Sequence, residues 1–128
     1  MSFTFKKEER LKSRKLIGQL FQEGHSFSSF PLRLVWIKTD VSVEKFPVQM
    51  ALTVPKRAFP KAAHRNTLRR RIREAYRLHK HLLYEQIGEQ EYRYAVMFIY
   101  VAKENLDYSS IEKAMLKGLQ RLGKNIHK

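Results

Sequence analysis

Seven basic residues stand between positions 65 and 80 of this chain, and only Glu74 opposes them there. They are Arg65, Arg69, Arg70, Arg71, Arg73, Arg77 and Lys80. The planar guanidinium group of arginine donates paired hydrogen bonds to phosphate oxygens, so this composition suits the binding of a polyanion. The alternative is a solvated charged surface, but such surfaces normally mix both signs of charge.

The same segment has the apolar spacing of an amphipathic helix, which we predict over residues 61 to 86. Its apolar row contains Leu68, Ile72, Ala75, Tyr76, His79, Leu82 and Leu83. At about 100° per residue, an opposite band contains Asn66, Arg69, Arg70, Arg73, Arg77 and Lys80. Like charges four positions apart weaken a helix, so we expect a bound anion to compensate this band.

The chain as a whole is strongly basic. It has 26 Lys plus Arg against 12 Asp plus Glu, a net charge of +14, and a domain that repels itself this strongly is expected to have a polyanionic partner. Composition favours RNA over DNA. It favours both over a membrane surface, because the apolar side of the helix is needed for the core. No apolar run approaches the roughly 20 residues of a membrane helix, so we expect a cytoplasmic protein without membrane contact.

Residues that cleave nucleic acid are not grouped in this sequence. Cysteine is absent, which excludes thiolate metal sites and cysteine nucleophiles. The histidines are scattered, and His79 falls on the apolar side of its helix, where a structural role is favoured. The acidic residues show no paired metal-ligand spacing. We therefore predict no catalytic residue and no metal site in the protein.

The remaining segments predict a single α+β domain over residues 1 to 128, built on one main sheet. Residues 1 to 12 are interpreted as a basic N-terminal arm. Ser13 is predicted to cap a short helix that Gly24 ends. A capping box of Ser109 and Glu112 predicts the last helix.

Three segments are typical of β-strands, at residues 32 to 38, 48 to 54 and 95 to 102. The first two are candidates for a hairpin around a turn at 40 to 45, and the third is predicted to be a buried central strand. We expect two or three strands before the long helix. With three, the order of the elements is α-β-β-β-α-β-α.

The segment from Arg65 to Arg77 resembles the signature helix of the bacterial ribonuclease P protein family. The residues that match the family pattern are Arg65, Asn66, Arg69, Arg70 and Arg73. Thr67 departs from it, since the family usually has a third arginine there, and Arg69 or Arg71 is the expected replacement. The segments Arg10-Leu11-Lys12 and Val54-Pro55-Lys56-Arg57, with Phe21 and Gly24, also resemble the family.

This resemblance implies a ribosomal-protein-S5-like fold with a left-handed βαβ crossover, against the usual preference. It implies the protein subunit of an enzyme that hydrolyses precursor tRNA to release the 5′ leader. The catalyst would be the RNA subunit, with Mg²⁺ held mainly by RNA, and the protein alone would be an inactive monomer. The expected RNA-binding residues are Lys56, Arg57, Lys61, Arg65, Asn66, Arg69, Arg70, Arg73, Arg77, Arg10 and Lys12.

The resemblance also implies a cleft for the substrate leader between the first helix and the sheet. If Leu16 and Leu20 face the sheet, Ile17 and Phe21 lie on a neighbouring row. An exposed aromatic ring there would stack on RNA bases, whereas the alternative places Phe21 in the core. Trp36 is a second stacking candidate.

Two other functions stay open at this point. One is a different RNA-binding module, ribosomal or chaperone-like, which would have no particular need for Asn66. The other is a metal-dependent nuclease that acts without an RNA subunit, for which the sequence offers no grouped acidic residues.

Overall fold

Seven main elements make up the protein in the computed structural model, which describes residues 5–39, 47–88 and 92–126. They are α1 (Arg14–Glu23), β1 (His25–Ser29), β2 (Leu32–Thr39), β3 (Val48–Thr53), α2 (Ala62–Ile87), β4 (Arg93–Tyr100) and α3 (Tyr108–Ile126). The predicted α+β class and the order α-β-β-β-α-β-α are confirmed. The predicted turn at 40 to 45 lies outside the described residues.

β4 is a central strand of a four-stranded sheet with the order β1-β2-β4-β3. β2 pairs with β4 antiparallel and β3 pairs with it parallel, so that both Leu34 and Leu52 lie opposite Phe98. A strand covered on both faces explains the nearly continuous apolar run in β4. The predicted hairpin of β2 with β3 is wrong, because the two strands lie on opposite sides of β4 and β2 pairs with β1 instead.

Helices cover both faces of this sheet. α2 and α3 pack on one face, where the buried Tyr76 ring meets Phe98 edge to face at 5.5 Å. α1 packs on the other, where Leu20 joins Val35 and Met97 in a smaller core. β3, α2 and β4 form a parallel βαβ unit; the left-handedness of its crossover stays a prediction of the resemblance.

The ends of α1 follow the sequence prediction. The Ser13 hydroxyl accepts a hydrogen bond from the N–H of Leu16 at 3.2 Å. At Gly24 a side chain would have its Cβ 2.3 Å from the carbonyl oxygen of Leu20 and 2.7 Å from Val35. Only glycine therefore allows β1 to begin so close to the end of this helix.

The start of α3 differs from the prediction. Asp107 caps the helix, since its carboxylate accepts a hydrogen bond from the N–H of Ser110 at 2.9 Å. That bond lowers the pKa of Asp107. The predicted capping box of Ser109 and Glu112 is wrong because Glu112 faces α2, where its carboxylate lies 2.9 Å from His79 Nε2.

Candidate RNA interface

The described part of the predicted N-terminal arm, from residue 5 onward, packs on the body of the protein. Arg10 pairs with Met50 in a parallel bridge at the outer edge of β3, and the N–H of Leu11 donates to the Met50 carbonyl at 2.8 Å. The Phe5 ring packs edge to face on Tyr76 at 5.8 Å. This segment therefore extends the sheet by a short piece of backbone pairing.

A buried ion pair anchors the same segment to α2. Glu9 is 1% exposed and Lys80 is 4% exposed, and Lys80 Nζ lies 2.7 Å from Glu9 Oε1. The Tyr84 hydroxyl also donates to Glu9, at 3.2 Å, and burial raises the pKa of Tyr84 well above its ordinary value. The prediction that Lys80 stands in the solvent-facing band is wrong, because Glu9 neutralises it inside the protein.

Between the docked segment and α2 runs a groove with cations on both walls. Its floor is the outer edge of β3. The residues that line it are Phe5, Arg10, Leu11, Lys12, Met50, Ala51, Leu52, Arg69 and Arg73. A neighbouring depression shares three of these residues and adds Arg70, Glu74 and Arg77. We call the set Arg10, Lys12, Arg69, Arg70 and Arg73 the basic groove.

Within the part of the chain that the structure describes, the arginines of α2 in the basic groove have no anionic partner. Across residues 5–39, 47–88 and 92–126, no acidic group lies within ion-pair distance of Arg69, Arg70 or Arg73. Arg10 rests on the Phe5 ring, with the guanidinium carbon 5.6 Å from the ring centre, and Lys12 is exposed. The described residues therefore leave the repulsion between these cations uncompensated.

Two other predicted RNA-binding arginines of α2 are bonded within the protein. Arg65 donates to the carbonyl oxygens of Phe59 and Pro60, both at 2.8 Å, and so holds the loop that precedes the helix. Arg77 donates from Nε to Glu74 at 2.7 Å, which neutralises much of its charge. Both guanidinium groups therefore have internal partners, which the described residues do not provide for Arg69, Arg70 and Arg73.

The remaining predicted contacts lie around the start of α2. Lys56, Arg57, Lys61 and Asn66 are all exposed, in the loop before the helix or in its first turns. The Thr67 hydroxyl donates to the Ala63 carbonyl at 3.0 Å. The position where the family usually carries arginine is therefore occupied here by a group bonded to its own helix.

Of the two expected replacements for the arginine missing at position 67, Arg69 lines the basic groove and stays a prediction, whereas Arg71 is bonded within the protein. Its guanidinium group donates to Asn105 Oδ1 and to the Leu106 carbonyl, both at 2.6 Å. It therefore ties α2 to the loop between β4 and α3. The sequence gives no signal for this role, because the acceptor groups come from a distant segment.

Replacing Arg71 with alanine is expected to reduce stability and not RNA affinity. The change removes two hydrogen bonds from a charged donor, so the free energy of unfolding should fall by about 1–3 kcal/mol. Urea denaturation measures the first effect and RNA titration of the folded protein measures the second. A loss of affinity as large as that of Arg70→Ala would contradict this assignment.

The α1 face of the sheet offers the second candidate surface. Phe21 is 61% exposed, so its alternative assignment to the core is wrong. Ile17 is half-buried and packs against the core that α1 forms with the sheet, beside the half-buried Ile37 and Ile99. These two isoleucines of the sheet are missing from the sequence prediction, although strand alternation places both on the same face as Val35.

Trp36 does not belong to that surface, and its prediction as a cleft residue is wrong. It is 9% exposed and lies on the opposite face of the sheet, with Leu34. Its ring is 4.7 Å from His25 and 6.2 Å from Tyr94, centre to centre. Alternation along β2 turns Val35 toward α1 and Trp36 away from it.

A group of titratable side chains between α2 and α3 has a structural role. His79 and Glu112 join α2 to α3; the Tyr108 hydroxyl also donates to Glu112 at 3.3 Å, and burial raises the pKa of Tyr108 to about 12. Within the described residues, no three His, Asp or Glu side chains are grouped to hold a metal ion. No helix in the described ranges is long and apolar enough to cross a membrane.

Comparisons with known proteins agree with this geometry. The chain matches the family model described as Ribonuclease P over residues 5–123. The ribonuclease P protein component of Porphyromonas gingivalis is 36% identical over 125 residues, covering 98% of this chain and 90% of the relative. That of Dictyoglomus turgidum is 29% identical over 125 residues, covering 94% of both chains.

Solved structures support the same fold. The RNase P protein from Thermotoga maritima aligns with a TM-score of 0.68 at 22% identity, over 88% of this chain and 96% of that chain. The protein from Staphylococcus aureus aligns with a TM-score of 0.63 at 20% identity, over 91% of this chain and 95% of that chain. From the family model and the 36% identical relative, the chain belongs to the bacterial ribonuclease P protein family.

Proposed function

We propose that this protein binds the catalytic RNA subunit of ribonuclease P through the basic groove and assists removal of the 5′ leader from precursor tRNA. The observation that carries the proposal is that Arg69, Arg70 and Arg73, which have no ion-pair partner among the described residues, face Arg10 and Lys12 across the groove. Guanidinium groups in this arrangement fit the closely spaced phosphates of a folded RNA.

The proposed division of labour leaves the chemistry to RNA. Mg²⁺, held mainly by RNA phosphates, would supply the Lewis acidity for hydrolysis of the phosphodiester bond when bound. Three of the described acidic side chains, Glu9, Glu74 and Glu112, are each bonded to a basic residue. The protein's own contribution is to neutralise phosphate repulsion and to position the two RNA molecules.

Reconstitution tests this function. The protein alone is expected to leave precursor tRNA intact, whereas the protein with a bacterial ribonuclease P RNA should cleave it at the mature 5′ end at a Mg²⁺ concentration too low for the RNA alone. The control is the RNA with a Lys38→Gln/Lys103→Gln variant, which removes two exposed charges outside the basic groove. No gain over RNA alone would refute the proposal.

We further propose that the leader lies along the α1 face of the sheet and that one of its bases stacks on Phe21. The support is an aromatic ring left 61% exposed at the edge of an apolar surface on a basic protein. Ile17 adds an apolar wall beside it. Stacking of this kind tolerates any base sequence, which suits an enzyme whose substrates differ in their leaders.

Phe21→Ala is expected to raise KM for precursor tRNA about fivefold or more, because stacking on one base contributes at least about 1 kcal/mol. The steady-state assay compares this variant with Gln22→Ala, an exposed neighbour on α1. A precursor with its leader shortened to one nucleotide should show no difference between the two. Equal KM values with the full-length leader would exclude the Phe21 contact.

A further inference from the structure

A second row of cations lies on α3. Lys113, Lys117, Arg121 and Lys124 are all exposed and follow one another at intervals of four, four and three positions. Such spacing places side chains along one side of a helix. We call these four residues the α3 row.

The α3 row borders β1, away from α2. The Arg121 guanidinium carbon lies 4.5 Å from the centre of the Phe27 ring on β1, and the Ser29 hydroxyl donates to the Ala114 carbonyl at 2.8 Å. Glu112, by contrast, marks the side of α3 that faces α2. Since β1 and β3 are the two edges of the sheet, the α3 row and the basic groove lie at opposite edges of the protein.

The cations of the α3 row are not neutralised within the described ranges. No acidic side chain there lies within ion-pair distance of any of the four. Lys113 is close enough to Asp107 to contribute to lowering its pKa, but forms no ion pair with it. The one acidic residue of α3, Glu112, is held by His79. The repulsion between Lys113, Lys117 and Arg121 is therefore uncompensated, as in the basic groove.

An exposed aromatic side chain directly follows β1, the strand that the α3 row borders. Phe30 is 69% exposed and directly follows Ser29, whose hydrogen bond to Ala114 places this end of β1 beside the first half of α3. Cations that follow a backbone, combined with an aromatic ring that accepts a base, are the combination by which proteins bind unpaired nucleic acid. An acidic protein would use the cations but offers no base for the ring.

We propose that this edge is a further RNA-binding surface, distinct from the basic groove and the α1 face, where the α3 row contacts the phosphates of an unpaired RNA segment and Phe30 stacks on one of its bases. The inference builds on the proposed function, because a protein with RNA on both edges holds two RNA segments at once. This surface would contact the sugar-phosphate backbone of RNA and the face of one base. It would therefore bind RNA without sequence recognition.

A bridging experiment tests the second surface on the full-length protein. Two unstructured, non-complementary RNA oligonucleotides, one with a donor and one with an acceptor fluorophore, are mixed with protein at low salt. Energy transfer should appear as one protein binds both. Lys117→Gln/Lys124→Gln should weaken binding of the second RNA about tenfold and reduce its log–log salt slope by about 1.4, because each single-strand phosphate that is no longer neutralised accounts for about 0.7.

Phe30→Ala should weaken the same step at least about fivefold. Lys38→Gln/Lys103→Gln removes an equal charge elsewhere and should keep the energy transfer, and circular dichroism checks the fold of each variant. Absence of energy transfer in the wild type, or equal effects of the α3 and control variants, would overturn the inference. If polyglutamate binds this edge more tightly than RNA and displaces the second RNA, the edge binds an acidic protein. That result would also overturn the inference.

The two proposals fail separately. The variant Arg69→Gln/Arg70→Gln/Arg73→Gln changes only the basic groove. It is expected to lose the first, tighter RNA-binding step. If that variant keeps the first step, the proposed function fails. If it loses the first step while the α3 variants keep the second, only the inference about the α3 row fails.

Discussion

Replacement of Arg69, Arg70 and Arg73 together by glutamine is expected to weaken binding of the catalytic RNA about 100-fold or more. Each arginine removed takes away a charge-assisted hydrogen bond to phosphate, which contributes about 1 kcal/mol or more. Folding should be unaffected, because none of the three has a hydrogen-bond or ion-pair partner within the described residues. Removal of their mutual repulsion should even stabilise α2 slightly.

Fluorescence anisotropy with labelled RNA at about 0.15 M salt measures this loss. A Lys15→Gln/Lys38→Gln/Lys103→Gln variant removes the same charge from exposed positions outside the basic groove. It should weaken binding only by the general effect of net charge. Equal losses in the two variants would show that the position of the arginines is irrelevant, and the basic groove would then have no special role.

The second large effect concerns the buried ion pair. Lys80→Met is expected to lower the free energy of unfolding by about 3–5 kcal/mol, because it leaves the Glu9 carboxylate buried without its cation. The double variant Glu9→Gln/Lys80→Met should recover most of that loss. A neutral amide in place of the carboxylate is far cheaper to bury and still accepts the hydrogen bond from Tyr84.

Urea denaturation of the single and double variants measures this coupling. The control Lys103→Met changes an exposed lysine and should alter stability by less than about 0.5 kcal/mol. Should Lys80→Met be too unstable to purify, Glu9→Gln and the double variant give the same comparison from the other partner. A double variant less stable than both single variants would contradict the coupling.

Segments with a strong periodic pattern are predictable from this sequence, and segments defined by distant pairing are not. The apolar row of α2 and the continuous apolar run of β4 each predict their element, because the spacing of the apolar residues shows which side of the element is buried. The predicted order includes a third strand before α2, but the position of β1 is not predicted, because its sequence, His-Ser-Phe-Ser-Ser, contains a single buried residue, Phe27. The false hairpin arises because β4, which separates β2 from β3, comes much later in the chain.

The site is predictable to the extent that it lies on one helix. Helical periodicity predicts that Arg69, Arg70 and Arg73 face solvent. The structure confirms this, since Arg69 is half-buried and Arg70 and Arg73 are exposed. It cannot reveal that Glu9 buries Lys80 or that the loop before α3 binds Arg71, because these partners come from other segments. Trp36 could have been excluded, since alternation groups it with Leu32 and Leu34 in the core.

Salt dependence of RNA affinity tests most directly whether the basic groove binds phosphates. Each phosphate contact contributes about −0.7 to −0.9 to the slope of log affinity against log salt concentration. Five or six contacts predict a slope near −4 or steeper for the wild type, and about −2 for the variant without Arg69, Arg70 and Arg73. A wild-type slope close to zero, or the same slope in both proteins, would contradict the account.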